Sequence, residues 1–230
     1  MPTRRDFLRT AALLAVAPGF PLRAAESTWI NDIHSQLNRT RLRELLAPRD
    51  LEEMAAIVRR AAREGTPISV SGCRHSMGGQ QFATDSIGID TRRLARVISF
   101  DPERGLIEAE AGIQWPRLIE AYLERQRDRA HPWGIAQKQT GADTFTLGGS
   151  LSSNVHGRGL TMKPLIANVE SFTLLNAEGR TVRCSREENP ELFRAAIGGY
   201  GLFGPISRVT CGSSRGGNCD ARSRSFLQTN

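Results

Sequence analysis

The chain has 230 residues, 39% apolar and 24% charged, the composition of an ordinary globular protein able to build one sizeable core in one domain of one or two lobes. Its formal charge of +7 invites a nucleic-acid reading, but four arginines against Asp6 fall in residues 1–25 and three against Asp220 in residues 211–230, leaving 24 basic and 22 acidic residues between. A body so nearly neutral argues against a phosphate-tracking face and against nucleic acid as a partner, and Cys73, Cys184, Cys211 and Cys219, with no CxxC spacing, argue against both a zinc site and a disulfide framework.

In chain order, Thr3-Arg4-Arg5-Asp6-Phe7-Leu8-Arg9, a mildly apolar run to Phe20 and small residues at Ala24 and Ala25 predict a twin-arginine signal peptide over 1–25. The apolar run is too short for a membrane span. This segment predicts passage of a folded protein, often with a cofactor already inserted, through the twin-arginine export machinery to the periplasm. An amphipathic first helix is the alternative.

Asp50 as N-cap, Glu53 three residues on, apolar residues at Leu51, Met54, Ile57, Val58 and Ala61, and Gly65 as stop predict an amphipathic helix. Pro67–Val70 reads as a strand running into the glycine-bearing loop Gly72–Gly79. Strands are expected at Ser86–Asp90, Val97–Phe100 and Leu106–Ala111, and a helix over Trp115–Arg129 with Pro116 in its first turn. Val169–Asn176 and Thr181–Cys184 flank the turn Ala177-Glu178-Gly179-Arg180, a hairpin; a short helix follows at Asn189–Ala196 and a strand at Ile206–Thr210. Trp29, Trp115 and Trp133 read as packing residues at lobe interfaces. Beyond Thr210 the Ser-, Arg- and Gly-rich sequence has no periodicity. It reads as a shifted frame or truncated gene in preference to a disordered natural tail.

Two glycine-bearing segments carry the chemistry. Ser71-Gly72-Cys73-Arg74-His75-Ser76-Met77-Gly78-Gly79 follows a strand and lets backbone N–H groups converge into an anion cradle without lysine. It is neither a Walker loop nor a GxGxxG fingerprint, and an ordinary surface turn is the alternative. Gln139–Gly159, rich in small and hydroxyl residues, suits a backbone passing close to a flat polar ligand; the alternative is a helix packed tightly on a sheet by its small residues. Ser152 and Ser153 lack a Gly-x-Ser-x-Gly elbow, and no HExxH or carboxylate cluster supports a catalytic metal. His34 and His131 read as surface residues.

Together the two segments resemble those of the p-cresol methylhydroxylase/vanillyl-alcohol oxidase superfamily of flavoproteins, and Gly198-Gly199-Tyr200-Gly201-Leu202-Phe203-Gly204-Pro205-Ile206 is a third match, over about residues 40–210. The resemblance implies an α+β fold: a PCMH-type FAD-binding domain over 26–210, of two α/β lobes (about 40–101 and 102–210) with FAD between them, and a C-terminal substrate domain that is missing. It implies FAD contacts from Ser71, Gly72, Cys73, Arg74, His75, Ser76 and Met77 around the pyrophosphate. Thr140, Gly141, Thr146, Gly148, Gly149, Ser152, Ser153, Asn154, His156 and Gly157 would follow along the flavin and ribityl chain, with Gly204 and Ile206 near the adenine end.

Members with histidine at the position of His75 tether the flavin C8-methyl carbon to the imidazole, as in the aldonolactone and alditol oxidases that the Arg74-His75-Ser76 core resembles. The implied tether is through His75, its neutral nitrogen being the nucleophile, with a hydrogen bond to loop or phosphate as the alternative. A second tether, to cysteine, has no candidate in Gln137-Lys138-Gln139. The implied reaction oxidises a CH–OH donor such as a sugar, polyol or sugar lactone by hydride transfer to flavin N5, with oxygen or another acceptor; no catalytic residue is nominated. A truncated, non-catalytic flavin-binding fragment is the second reading, and a nucleotide-phosphate module without flavin a third.

Overall fold

The computed structural model describes residues 28–135, 138, 141–157 and 163–212. The predicted signal peptide, Gln137, Gln139, Thr140 and the segment from Ser213 onward lie outside the described residues.

The fold is α+β, in two lobes that each carry their own sheet. The first holds three parallel strands in the order β3-β5-β4, β3 being Glu44–Leu46, β4 Ile68–Ser71 and β5 Ile87–Asp90. All four residues of the central β5 are buried, as expected of a parallel strand covered on both faces. Helix α1, Leu51–Glu64, connects β3 to β4. It begins where Asp50 Oδ1 accepts the Glu53 amide at 2.8 Å and stops at Gly65, whose φ of +60° needs no Cβ. Its inward stripe of Met54, Ala55 and Val58 packs with Ile89, Leu94 and Leu175.

The second lobe is a five-stranded antiparallel sheet ordered β6-β7-β10-β8-β9: β6 Val97–Asp101, β7 Leu106–Glu110, β8 Val169–Leu175, β9 Thr181–Ser185 and β10 Ile206–Cys211. Central β10 sets Val209 between Ala109 and Phe172. Helices α2 (Trp115–Glu124), α3 (Leu147–Ser152) and α4 (Pro190–Ala196) bury Trp115, Leu118, Tyr122, Leu147, Leu151 and Phe193 in one core with that sheet, Phe193 stacking on Phe172 at 5.5 Å. A two-stranded ribbon of β1 (Thr28–Ile30) and β2 (Thr40–Leu42) completes the elements.

Three expectations are corrected. The lobe boundary at 101/102 falls one strand late, because β6 pairs antiparallel with β7 and so belongs to the second sheet. Helix α2 ends at Glu124 instead of Arg129: the buried Gln126 side chain donates to the Tyr122 carbonyl and accepts the Trp133 amide at 2.6 Å, turning the chain. Trp29 is half-exposed under the Arg39 guanidinium, 4.7 Å from its centroid, and packs no lobe interface.

Candidate functional site

Between the two sheets lies a cavity of about 360 Å³, walled by the segment Val70–Met77 on one side and by α3 and Gly201–Ile206 on the other. Its first wall leaves β4 at Ser71, whose carbonyl accepts from the Thr91 hydroxyl at 3.2 Å. Gly72 comes next, and only glycine fits there: a Cβ would sit 2.1 Å from Thr146 Oγ1 and 2.9 Å from Thr146 Cβ, so this backbone touches the second segment directly. Cys73 Sγ accepts from Gln114 Nε2 at 2.8 Å. At Arg74 φ turns to +60°, the left-handed region that a non-glycine residue seldom adopts. Among the described residues, no protein acceptor takes the amides of Cys73 through Met77. The Gln81 side chain, also lining the cavity, has Oε1 and Nε2 buried without a partner. Free amides, an orphaned carboxamide and a glycine pressed against the opposite wall fit an extended polar ligand that carries an anion.

His75 stands on this wall between two segments. Its Nδ1 is 2.8 Å from His34 Nε2, its Nε2 is 2.9 Å from Thr144 Oγ1, and Phe145 meets its ring edge-on at 4.4 Å. Burial, and then the neighbouring His34 ring, lower its pKa below the usual histidine value, outweighing the bond to the Thr144 backbone that raises it. The imidazole is therefore neutral around pH 7 and keeps one nitrogen lone pair.

The second wall departs from the expected glycine loop. Leu147–Ser152 is a helix, capped where Thr146 Oγ1 accepts the Gly149 amide at 3.2 Å, and its small residues let it lie close to β7: a Cβ on Gly148 would be 2.7 Å from Ala111 Cβ. The alternative reading, a helix packed tightly on the sheet by its small residues, is the one observed. One face of α3 packs on the sheet, with the Trp115 indole N–H donating to Ser150 Oγ at 2.9 Å, while Gly149, Ser152 and Ser153 line the cavity.

Of the expected contacts, the seven from Ser71 to Met77, together with Thr146, Gly148, Gly149, Ser152, Ser153, Gly204 and Ile206, line this one cavity. Gly141, Asn154, His156 and Gly157 do not. Asn154 adopts φ +44° and its Oδ1 accepts the Ile166 amide at 3.2 Å, a turn-holding role. The exposed His156 donates from Nδ1 to the Gly157 carbonyl at 2.9 Å. Thr140 lies outside the described residues. The sequence reading did not nominate Gln81 and Thr91, which carry no motif, nor Phe145 and Tyr200, which lie within the matched segments but were not singled out, and it set His34 aside as a surface residue.

The cavity makes a prediction about thiols. Cys184 is fully buried, and burial, followed by Glu188, pushes its thiol up to about 11, whereas Cys73 is half-buried on the cavity wall. Mild alkylation of the native chain is expected to modify Cys73 and spare Cys184, and FAD is expected to slow Cys73 modification several-fold. Peptide mapping by mass spectrometry checks this; equal rates with and without FAD would move the ligand off this wall.

Comparison with known proteins supplies the class of ligand. Residues 43–185 match the family model of an FAD binding domain. The chain is 30% identical over 176 residues to cytokinin dehydrogenase 2 of Oryza sativa subsp. japonica, covering 72% of this chain and 30% of that protein. It is 29% identical over 198 residues to a putative D-arabinono-1,4-lactone oxidase of Neurospora crassa (84% and 33%), and 32% identical over 164 residues to L-gulonolactone oxidase of Bos taurus (71% and 35%). The chain thus spans about a third of the length of these relatives. With the family model covering more than half of its residues, the chain belongs to the PCMH-type FAD-binding domain family, and its cofactor is FAD.

Proposed function

We propose that this chain is the flavin-binding part of an FAD-dependent oxidoreductase that oxidises a CH–OH donor of the sugar, polyol or sugar-lactone class, with FAD in the cavity between the lobes and His75 as its covalent anchor. The observation that carries this reading is the placement of a neutral imidazole on the cavity wall, held at both nitrogens, beside a row of unpaired amides. The lactone oxidases among the relatives support the donor class.

When bound, FAD supplies the hydride acceptor at N5, and the chemistry of the redox step belongs to it. The chain's own residues bind and orient. Amides 73–77 would hold the pyrophosphate, Gly72 and Thr146 bring the two walls into contact, and His75 would serve as the tether once one of its ring nitrogens is released from His34 or Thr144. Among the described residues, no aspartate or glutamate lines the cavity. The electron acceptor is oxygen or another two-electron oxidant.

The test is purification of the full chain with FAD, followed by acid precipitation. Yellow protein whose pellet retains flavin is the expected result. Flavin lost on native washing would remove the cavity assignment, and flavin lost only on acid denaturation would remove the tether alone. Anaerobic bleaching of the bound flavin by alditols or aldonolactones is expected, and bleaching by amines alone would exclude the CH–OH donor.

A further inference from the structure

Both polar atoms of the Gln81 carboxamide are buried at the cavity wall without a partner. Buried polar groups in a stable fold are paired, so a carboxamide held in this state points to a partner that the chain itself does not supply. Its place is fixed on both flanks. The Phe82 amide donates to the Gly79 carbonyl at 3.0 Å, closing a turn with Gln80 and Gln81 at its corner. Two residues on, Ala83 is clamped to the first lobe, its amide donating to Ser69 Oγ of β4 at 3.1 Å and its carbonyl accepting from Ser86 Oγ at 2.7 Å, while the two serine hydroxyls meet each other. Gln81 thus lies near Ser69 and Val70, where β4 enters the cradle loop. His75 lies elsewhere on the wall, against Thr144 and Phe145.

We propose that Gln81 reads the adenine edge of FAD and makes the cavity select the dinucleotide over FMN. Its carboxamide presents an acceptor oxygen and an N–H donor side by side. A phosphate only accepts and would leave Oε1 orphaned. An adenine edge offers its N6–H donor beside a ring-nitrogen acceptor, the pairing that a glutamine makes bidentately. The pyrimidine edge of the flavin also carries a donor beside an acceptor, and position separates the two. With the flavin ring at His75 and the pyrophosphate at amides 73–77, the ring left to reach β4 is adenine. Val70, Pro205 and Ile206 line the same cavity and supply apolar surface for a flat ring. Selection of this kind rests on the placement of FAD proposed above, with its flavin at His75.

The test is rapid fluorescence titration of the full chain with FAD and with FMN, ahead of any covalent step, in the native protein and in Gln81→Met, which keeps the length of the side chain and removes both polar atoms. The native chain is expected to bind FAD at least about tenfold more tightly than FMN. Gln81→Met is expected to weaken FAD by about tenfold, the worth of one bidentate base contact, and to leave FMN within about twofold. Without flavin the variant is expected to melt no lower than the native chain, because an unpartnered buried amide gives way to an apolar group. A lowered Tm with FAD and FMN weakened alike would make Gln81 a structural residue and overturn the proposal. Equal weakening of both flavins at unchanged Tm would move the carboxamide to the flavin half and overturn it as well, and an unchanged FAD affinity would remove the contact. In each of these cases the native chain still binds FAD and the cavity assignment stands; a native chain that binds no FAD would remove that assignment, and the role of Gln81 with it.

Discussion

Replacing Gly72 by alanine is expected to lower FAD affinity by between about tenfold and about 100-fold, because the new methyl group would occupy space already held by Thr146. The nearest atoms are Oγ1 at 2.1 Å, Cγ2 at 2.7 Å and Cβ at 2.9 Å, so rotating the threonine about χ1 does not clear the site. Thr146 is also the N-cap of α3, accepting the Gly149 amide, and the bond is lost if the side chain is driven away. Either the cap breaks or the two walls separate, and both displace Gly149, Ser152 and Ser153 from the surface that lines the cavity. Fluorescence titration of FAD on the variant measures the effect, and an affinity within about twofold of the native chain would show that Gly72 does not set the cavity.

The second large effect is on stability. Gly112→Ala is expected to cost about 3 kcal/mol or more, at the upper end of overpacking, and to lower Tm by roughly 10 °C for a chain of this size. A Cβ at Gly112 would lie 1.8 Å from the Thr91 carbonyl oxygen, 2.6 Å from its carbon and 2.7 Å from the Leu94 oxygen. These are backbone atoms of the short 3-10 helix Thr91–Arg93 and the residue that follows it, so no side-chain rotation relieves the contact. The Gly112 amide also donates to the Leu94 carbonyl at 2.8 Å, and the neighbouring Ala111 amide donates to Ser207 of β10 at 2.9 Å. This point therefore joins the end of the first lobe to the middle of the second sheet, and parting it loosens both. Thermal unfolding followed by circular dichroism measures the loss; a change of less than about 1 kcal/mol would show that the junction yields easily.

Much of this architecture is local, and local physics is legible in sequence. The helix α1 is written in Asp50, Glu53 and Gly65, since a cap and a left-handed stop act within one turn, and the β8–β9 hairpin is written in the turn around Gly179, where φ is +69°. The loop Ser71–Met77 and its glycine are readable for the same reason: it leaves a strand directly and opens on a glycine. What the sequence could not say was where distant segments meet. β6 is a clear strand by composition, but its partner β7, and thus its lobe, follows from tertiary pairing. The segment Leu147–Ser152 has two glycines and two serines, a weak helix by propensity, and it is helical because close contact with Ala111 and a buried Trp115–Ser150 bond favour that shape. His34 is the sharpest case. Nothing in its exposed, polar neighbourhood marks it, and only the fold brings it across 41 positions of chain to His75. By itself, then, the sequence indicated the cofactor class through its resemblance to the flavoprotein superfamily, and it marked the glycine-bearing segments that wall the cavity, because turns and caps act within a few residues. The tertiary structure alone decided which groups hold the His75 ring, because a hydrogen bond between remote side chains has no local signature.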